Sequence, residues 1–117
     1  MIMKQEKEKK LLRIFIGEAE KYKSRPLYEA IVYAAKKAGL AGATVSRGLM
    51  SFGANSRIHT MKILSLSHDL PMIIEIVDET EKISPFLEVL DKMFEKCGAG
   101  GMITMEKIEV IRYREKH

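Results

Sequence analysis

The chain has little of what staples or metallates a small fold. Its one cysteine, Cys97, cannot close an internal disulfide, which fits a reducing cytoplasm. The three histidines, His59, His68 and His117, are scattered without metal-ligand spacing, so no structural zinc is expected. Tryptophan is absent, and the eight methionines are most simply core filler. No apolar run approaches the roughly 18 residues of a membrane span. Residues 1–10 are mostly Lys, Glu and Gln, so no signal peptide is expected. An excess of one charge is missing too. The formal net charge is +4, but Lys4, Lys7, Lys9 and Lys10 against Glu6 and Glu8 give the leader +2 of it. The remainder is only slightly basic, too little to argue for nucleic acid.

What is present is a hydrophobic fraction of 46% in 117 residues, enough for one domain with a modest core. The expected organisation is a flexible charged leader over 1–10, or an extension of the first strand there, and a single domain over 11–117. Leu12, Ile14 and Ile16 alternate along a first strand ending at Gly17. A polar loop, Glu18 to Arg25, follows. Its Lys23, Ser24 and Arg25 stand before a helix start, where an anion could be held or the chain simply solvated.

Pro26 suits a first helical position, Leu27, Ile31, Ala34 and Ala38 recur at helical spacing, and Gly39 supplies a stop. Ala43 to about Met50 reads as a second strand and Met61–Leu66 as a third, joined by a loop from Ser51 to Arg57. Pro71 breaks the ladder, and Met72–Val77 is an apolar strand carrying one carboxylate, Glu75, better read as paired than as catalytic. Asp78 and Glu81 resemble a capping box. Ile83, Phe86, Leu87, Leu90 and Phe94 carry a second helix that starts or bends at Pro85 and ends at Gly98. Met102–Met105 and Ile108–Arg112 are final strand segments, with a slip of the inward face between them that suggests a bulge.

That order is βαββαβ, an α+β fold of the ferredoxin-like class: an antiparallel sheet with two helices on one face. The other face is expected to carry Phe15, Ile74 and Ile76. Leaving it wet is costly, so a closed oligomer with the bare faces inside is expected.

Two features suggest anion chemistry. Gly98, Gly100 and Gly101 leave a backbone run whose N–H groups no Cβ obstructs. Arg112 and Arg114 would leave the same face of an extended segment. Together they could cradle phosphate. The plainer alternative is a loose turn followed by a solvated chain end.

Gly17-Glu18, Arg47-Gly48-Leu49-Met50-Ser51-Phe52-Gly53, Arg57-Ile58-His59-Thr60, and the run Leu66-Ser67, Asp69-Leu70-Pro71, Ile73-Ile74-Glu75-Ile76-Val77 resemble the domain of unknown function 190 family. That family is PII-like, similar to the GlnB nitrogen-regulatory proteins, and the resemblance covers about residues 11–114. It implies a homotrimer with the sheets at its centre and an adenine nucleotide, ADP or ATP, in clefts between subunits. It further implies phosphate contacts from Gly98, Gly100, Gly101, Arg112 and Arg114, close backbone at Gly48 and Gly53, and Glu75 near the adenine. Departures are equally specific. The connection from Ser51 to Thr60 is short and lacks the modifiable tyrosine of true PII proteins, so a uridylylation-type switch is not expected. Met72 replaces a lysine that contacts phosphate in PII proteins. Ser51 stands where relatives have glycine. Some relatives accompany CrcB-type fluoride channels, which suggests a membrane transporter or channel as partner by association.

The expected function is a non-enzymatic signalling protein whose nucleotide orders a partner-facing loop: Phe52, Ala54, Asn55, Ser56, Arg57 and His59. An RNA-binding ferredoxin-like module is the alternative, but Arg47-Gly48-Leu49-Met50-Ser51-Phe52 lacks the stacking aromatics such a module needs. Catalysis finds no support: His59 and His68 lack a visible nucleophile, and Cys97 closes a helix, where the dipole disfavours a thiolate.

Overall fold

The structure, a computed structural model, describes residues 7–52, 58–60 and 70–116. In chain order the elements are β1 (Lys9–Gly17), β2 (Lys21–Tyr22), β3 (Arg25–Pro26), α1 (Leu27–Lys37), β4 (Thr44–Arg47), β5 (Met50–Phe52), β6 (Ile58–Thr60), β7 (Pro71–Glu79), α2 (Thr80–Cys97) and β8 (Met102–Ile108). The main sheet runs β4-β7-β1-β8 with every neighbouring pair antiparallel. Both helices bury one stripe against a single face of it. Leu27, Ile31 and Ala35 of α1 and Ile83, Phe86 and Leu90 of α2 share a core with Leu12, Ile14, Ile16, Ile74 and Ile76. This is the expected α+β architecture.

The alternation in β1 holds: Leu12, Ile14 and Ile16 are buried, while Leu11, Arg13 and Phe15 face away. The strand begins at Lys9, inside the charged leader. Ile74 and Ile76 do not lie on the uncovered face as the sequence suggests. Ile14 stands directly opposite Ile74, and cross-strand partners share a face, so Ile74 and Ile76 go under the helices. The uncovered face instead carries Leu11, Phe15, Ile73 and Val77 around Arg13 and Glu75.

β8 is one unbroken strand opposite Phe15 to Lys9, with no slip after Met105. It stops at Ile108 because its partner stops at Lys9. Residues 109–116 therefore leave the sheet, and the expected strand over Ile108–Arg112 does not continue past Ile108. The expected second strand divides at Gly48–Leu49 into β4 and β5. Ser51 and Phe52, expected in a loop, lie in β5, which pairs with β6. The expected third strand, Met61–Leu66, lies outside the described residues. Within the loop from Glu18 to Arg25, β2 and β3 form a hairpin turned by Lys23 and Ser24, both at positive φ (49° and 66°). Two left-handed residues in succession match the right-handed twist of the flanking strands.

Pro26 caps α1 rather than opening it, and Gly39 at φ 83° donates its N–H to the Lys36 carbonyl at 3.1 Å, closing the helix. α2 passes through Pro85 unbroken. The expected capping box is absent. Glu79 occupies the cap position without a side-chain bond, because the strand period turns Asp78 inward. Asp78 is 5% exposed; its Oδ1 accepts the Glu79 N–H at 2.7 Å and its Oδ2 the Ala41 N–H at 2.8 Å. The carboxylate thus ties the end of β7 to the α1–β4 connection. Asp78→Ala is expected to lower stability by about 1.5–3 kcal/mol, the worth of hydrogen bonds to a charged acceptor. Urea unfolding checks this, and an unchanged midpoint would contradict it.

Candidate functional site

Several residues that the family resemblance rests on meet at one end of the sheet. Glu18 leaves β1, and its N–H donates to the Leu70 carbonyl at 2.8 Å. Its carboxylate receives the Arg47 guanidinium from the end of β4. The Gly48 N–H donates to the Pro71 carbonyl at 2.7 Å, and a Cβ at Gly48 would stand 2.6 Å from Pro71 Cγ. Gly48 is therefore required by packing between β4 and β7. Met72, where PII proteins carry a lysine, is buried beneath the helices and offers nothing to a ligand.

The glycine-rich turn reaches the same end. Gly98, at φ 67°, is the left-handed cap of α2, donating to the Phe94 carbonyl at 2.8 Å. A Cβ at Gly101 would lie 2.6 Å from the Phe15 carbonyl oxygen and 3.2 Å from the Phe94 ring. Gly101 is small so that β8 can approach β1. A Cβ at Gly100 meets nothing within 4 Å. Of these three glycines, only Gly100 lacks an internal reason to be glycine.

Arg112 and Arg114 lie elsewhere. The seven residues of β8 carry the chain about 20 Å from the glycine turn before the tail begins. Residues 110–113 of the tail and the Lys9 end of the sheet enclose a groove of about 1250 Å³, lined among others by Lys9, Ala41, Thr44, Glu75 and Arg112. The structure thus brings Glu75 and Arg112 to one groove and keeps both away from the glycines. The Ala41–Thr44 stretch was not singled out from sequence. Its only signal is the small-residue run Ala41-Gly42-Ala43, which says nothing without the Asp78 anchor.

Glu75 is paired as expected. Arg13 donates from Nε to Glu75 at 2.9 Å and from Nη1 to Glu106 at 2.8 Å, at the middle of the uncovered face. Bonding to Glu75 raises the Arg13 pKa above its ordinary value, so the cation persists at any working pH. Phe52 lies in β5 and His59 in β6; Gly53, Ala54, Asn55, Ser56 and Arg57 lie outside the described residues. Cys97 ends α2, with its Sγ 3.8 Å from the Phe94 carbonyl. Among the described residues, no group of three His, Cys, Asp or Glu could hold a metal ion, and no helix is long and apolar enough to cross a membrane.

The tight glycine can be separated from the open one. Gly101→Ala should cost about 1–3 kcal/mol by overpacking, and Gly100→Ala should stay within about 0.5 kcal/mol of the parent. Thermal melts of the two variants check this; equal stability of both would contradict it.

Residues 9–110 match the DUF190 family, described as "Uncharacterized ACR". A UPF0166 protein of Aquifex aeolicus is 42% identical over 104 residues, covering 89% of this chain and 94% of that protein. Among solved structures, the fold is shared by CPII of Thiomonas intermedia K12, a nitrogen regulatory PII-like protein bound to ADP, AMP and bicarbonate. The TM-score is 0.69 at 23% identity, with 90% of each chain covered. A PII-like signaling protein of Thermus thermophilus matches at TM-score 0.65 and 19% identity, over 90% of this chain and 91% of that one. The chain belongs to the DUF190 family and has a PII-like fold.

Proposed function

We propose that the protein is a non-enzymatic regulator that binds an adenine nucleotide, ADP or ATP, in clefts between three copies of itself. The observation that carries this reading is the separation just described. Gly100, the glycine of the turn that neither packing nor a left-handed φ explains, and the arginines Arg112 and Arg114 lie at opposite ends of the same sheet. Within one chain they cannot meet on a single phosphate group; between copies, the tail of one can reach the turn of the next. The uncovered face supports the same assembly. Leu11, Phe15, Ile73, Val77 and Met102 form an apolar surface whose internal charges, Arg13, Glu75 and Glu106, already neutralise one another in part. Such a face is far better buried against its own copies than left in water.

The chemistry of the bound state follows from the residues. Backbone N–H groups around Gly100 and the forked guanidinium groups of Arg112 and Arg114 hold the phosphates. Gly98 and Gly101 set the shape of the turn, Gly48 and Gly53 bring backbone close, and Glu75 stands beside the groove on the adenine side. A partner reads the nucleotide state through the 51–60 stretch, at Phe52, Arg57, His59 and their neighbours. The class of partner that association suggests is a membrane transporter or channel, served from the cytoplasm. The Thiomonas protein, crystallised with ADP and AMP on this fold, supports the choice of ligand. The RNA-binding alternative gains little from the uncovered face, whose one aromatic in the described strands, Phe15, stands among aliphatic side chains and carboxylates where an RNA platform stacks two or three bases.

Calorimetric titration with ADP, ATP, AMP and cyclic AMP tests this reading. Arg112→Ala/Arg114→Ala is expected to weaken binding tenfold or more, since a lost charge-assisted contact costs about 1.5–3 kcal/mol. No binding to any of the four by the parent protein would overturn it.

A further inference from the structure

We propose that Lys116 is a third phosphate-binding cation and sets the preference among nucleotides by phosphate-chain length, an inference that rests on the phosphate role of Arg112 and Arg114. The three cations line one concavity of about 440 Å³, in which Glu115 is the one acidic neighbour. Every arginine of the described strands is engaged, whereas those of the tail are not. Arg13 holds Glu75 and Glu106, Arg47 holds Glu18, Lys107 lies near Glu8, and Arg25 sits 4.7 Å over the Tyr33 ring. Among the described residues, no acid, ring or carbonyl engages Arg112, Arg114 or Lys116.

The three occupy alternate positions. In an extended segment, residues at i, i+2 and i+4 leave one edge at intervals of about 6.8 Å. In that geometry the other edge would carry Ile111 and Tyr113, which are 85% and 65% exposed. Seated on a second copy by those two side chains, the tail would present its three cations in a row. Their chemistry differs along that row. Arg112 and Arg114 offer rigid forks that fix a phosphate in place, whereas Lys116 is a point charge on a flexible stem that can follow a terminal phosphate. A nucleoside triphosphate extends one phosphate further than a diphosphate. Lys116 therefore contributes most to ATP, less to ADP and least to AMP.

The test titrates the full chain and its Lys116→Gln variant with ATP, ADP and AMP, and separately with inorganic tripolyphosphate. The variant should lose about tenfold in ATP affinity, as removal of one charge-assisted contact does, while AMP affinity stays within about twofold. Equal losses for all three nucleotides, or none, would overturn the proposal. If the parent protein binds no nucleotide, the reading of the previous section fails on its own. Tripolyphosphate then decides for Lys116: binding that the variant loses sustains the cation row, and binding it keeps, or absent binding, sinks it.

Discussion

The pairing of β1 with β7 determines most of what this chain can do. Nine positions pair in register, from Lys9–Glu79 to Gly17–Pro71. That register sends Leu12, Ile14 and Ile16 under the helices with Met72, Ile74 and Ile76, and sends Arg13 and Glu75 outward together. A slip of one residue would exchange the two faces and drive Arg13 into the core, which no neighbouring apolar gain could offset. The same register fixes the two ends of the sheet. One end gathers Glu18, Arg47, Gly48 and the glycine turn; the other holds the tail with its arginines.

From this follows a division of labour among residues that resemble a binding motif. Glu18, Arg47, Gly48, Leu70 and Pro71 join three strand ends to one another, so their pattern reports construction before it reports a ligand. Gly98 and Gly101 are likewise demanded by a left-handed cap and by a close approach to Phe15. Among the residues of that motif, Gly100, Arg112 and Arg114 are what remains once construction is accounted for. Function is best sought in that remainder, and the remainder lies at both ends of the molecule.

The sequence made some of this legible. In β1 the charged Arg13 stands between Leu12 and Ile14 and marks the outward face, so the inward set could be read directly. β7 is apolar on both faces, with Ile73 beside Ile74, and its face assignment could be made only from the partner strand. Val110 and Ile111 have strand character, but a strand needs a neighbour, and β1 offers none beyond Lys9, the partner of Ile108. The capping box failed for a tertiary reason: Asp78 is claimed by the Ala41 N–H. The family resemblance points to glycines and arginines by their place in the chain, yet their separation of about 20 Å along β8 depends on which strands pair. Spacing in sequence does not carry that information.

The central claim is that each site is completed by two copies, and subunit mixing tests it most directly. Two defective chains are prepared: Arg112→Ala/Arg114→Ala, lacking the tail cations, and Gly100→Asp, whose carboxylate opposes phosphate at a position with space for it. Neither alone should bind ADP. Unfolded together and refolded at equal amounts, they should regain about one quarter of the parental sites, because random cyclic assembly pairs an intact tail with an intact turn at that frequency. A mixture that stays silent, while size exclusion confirms mixed trimers, would contradict the account.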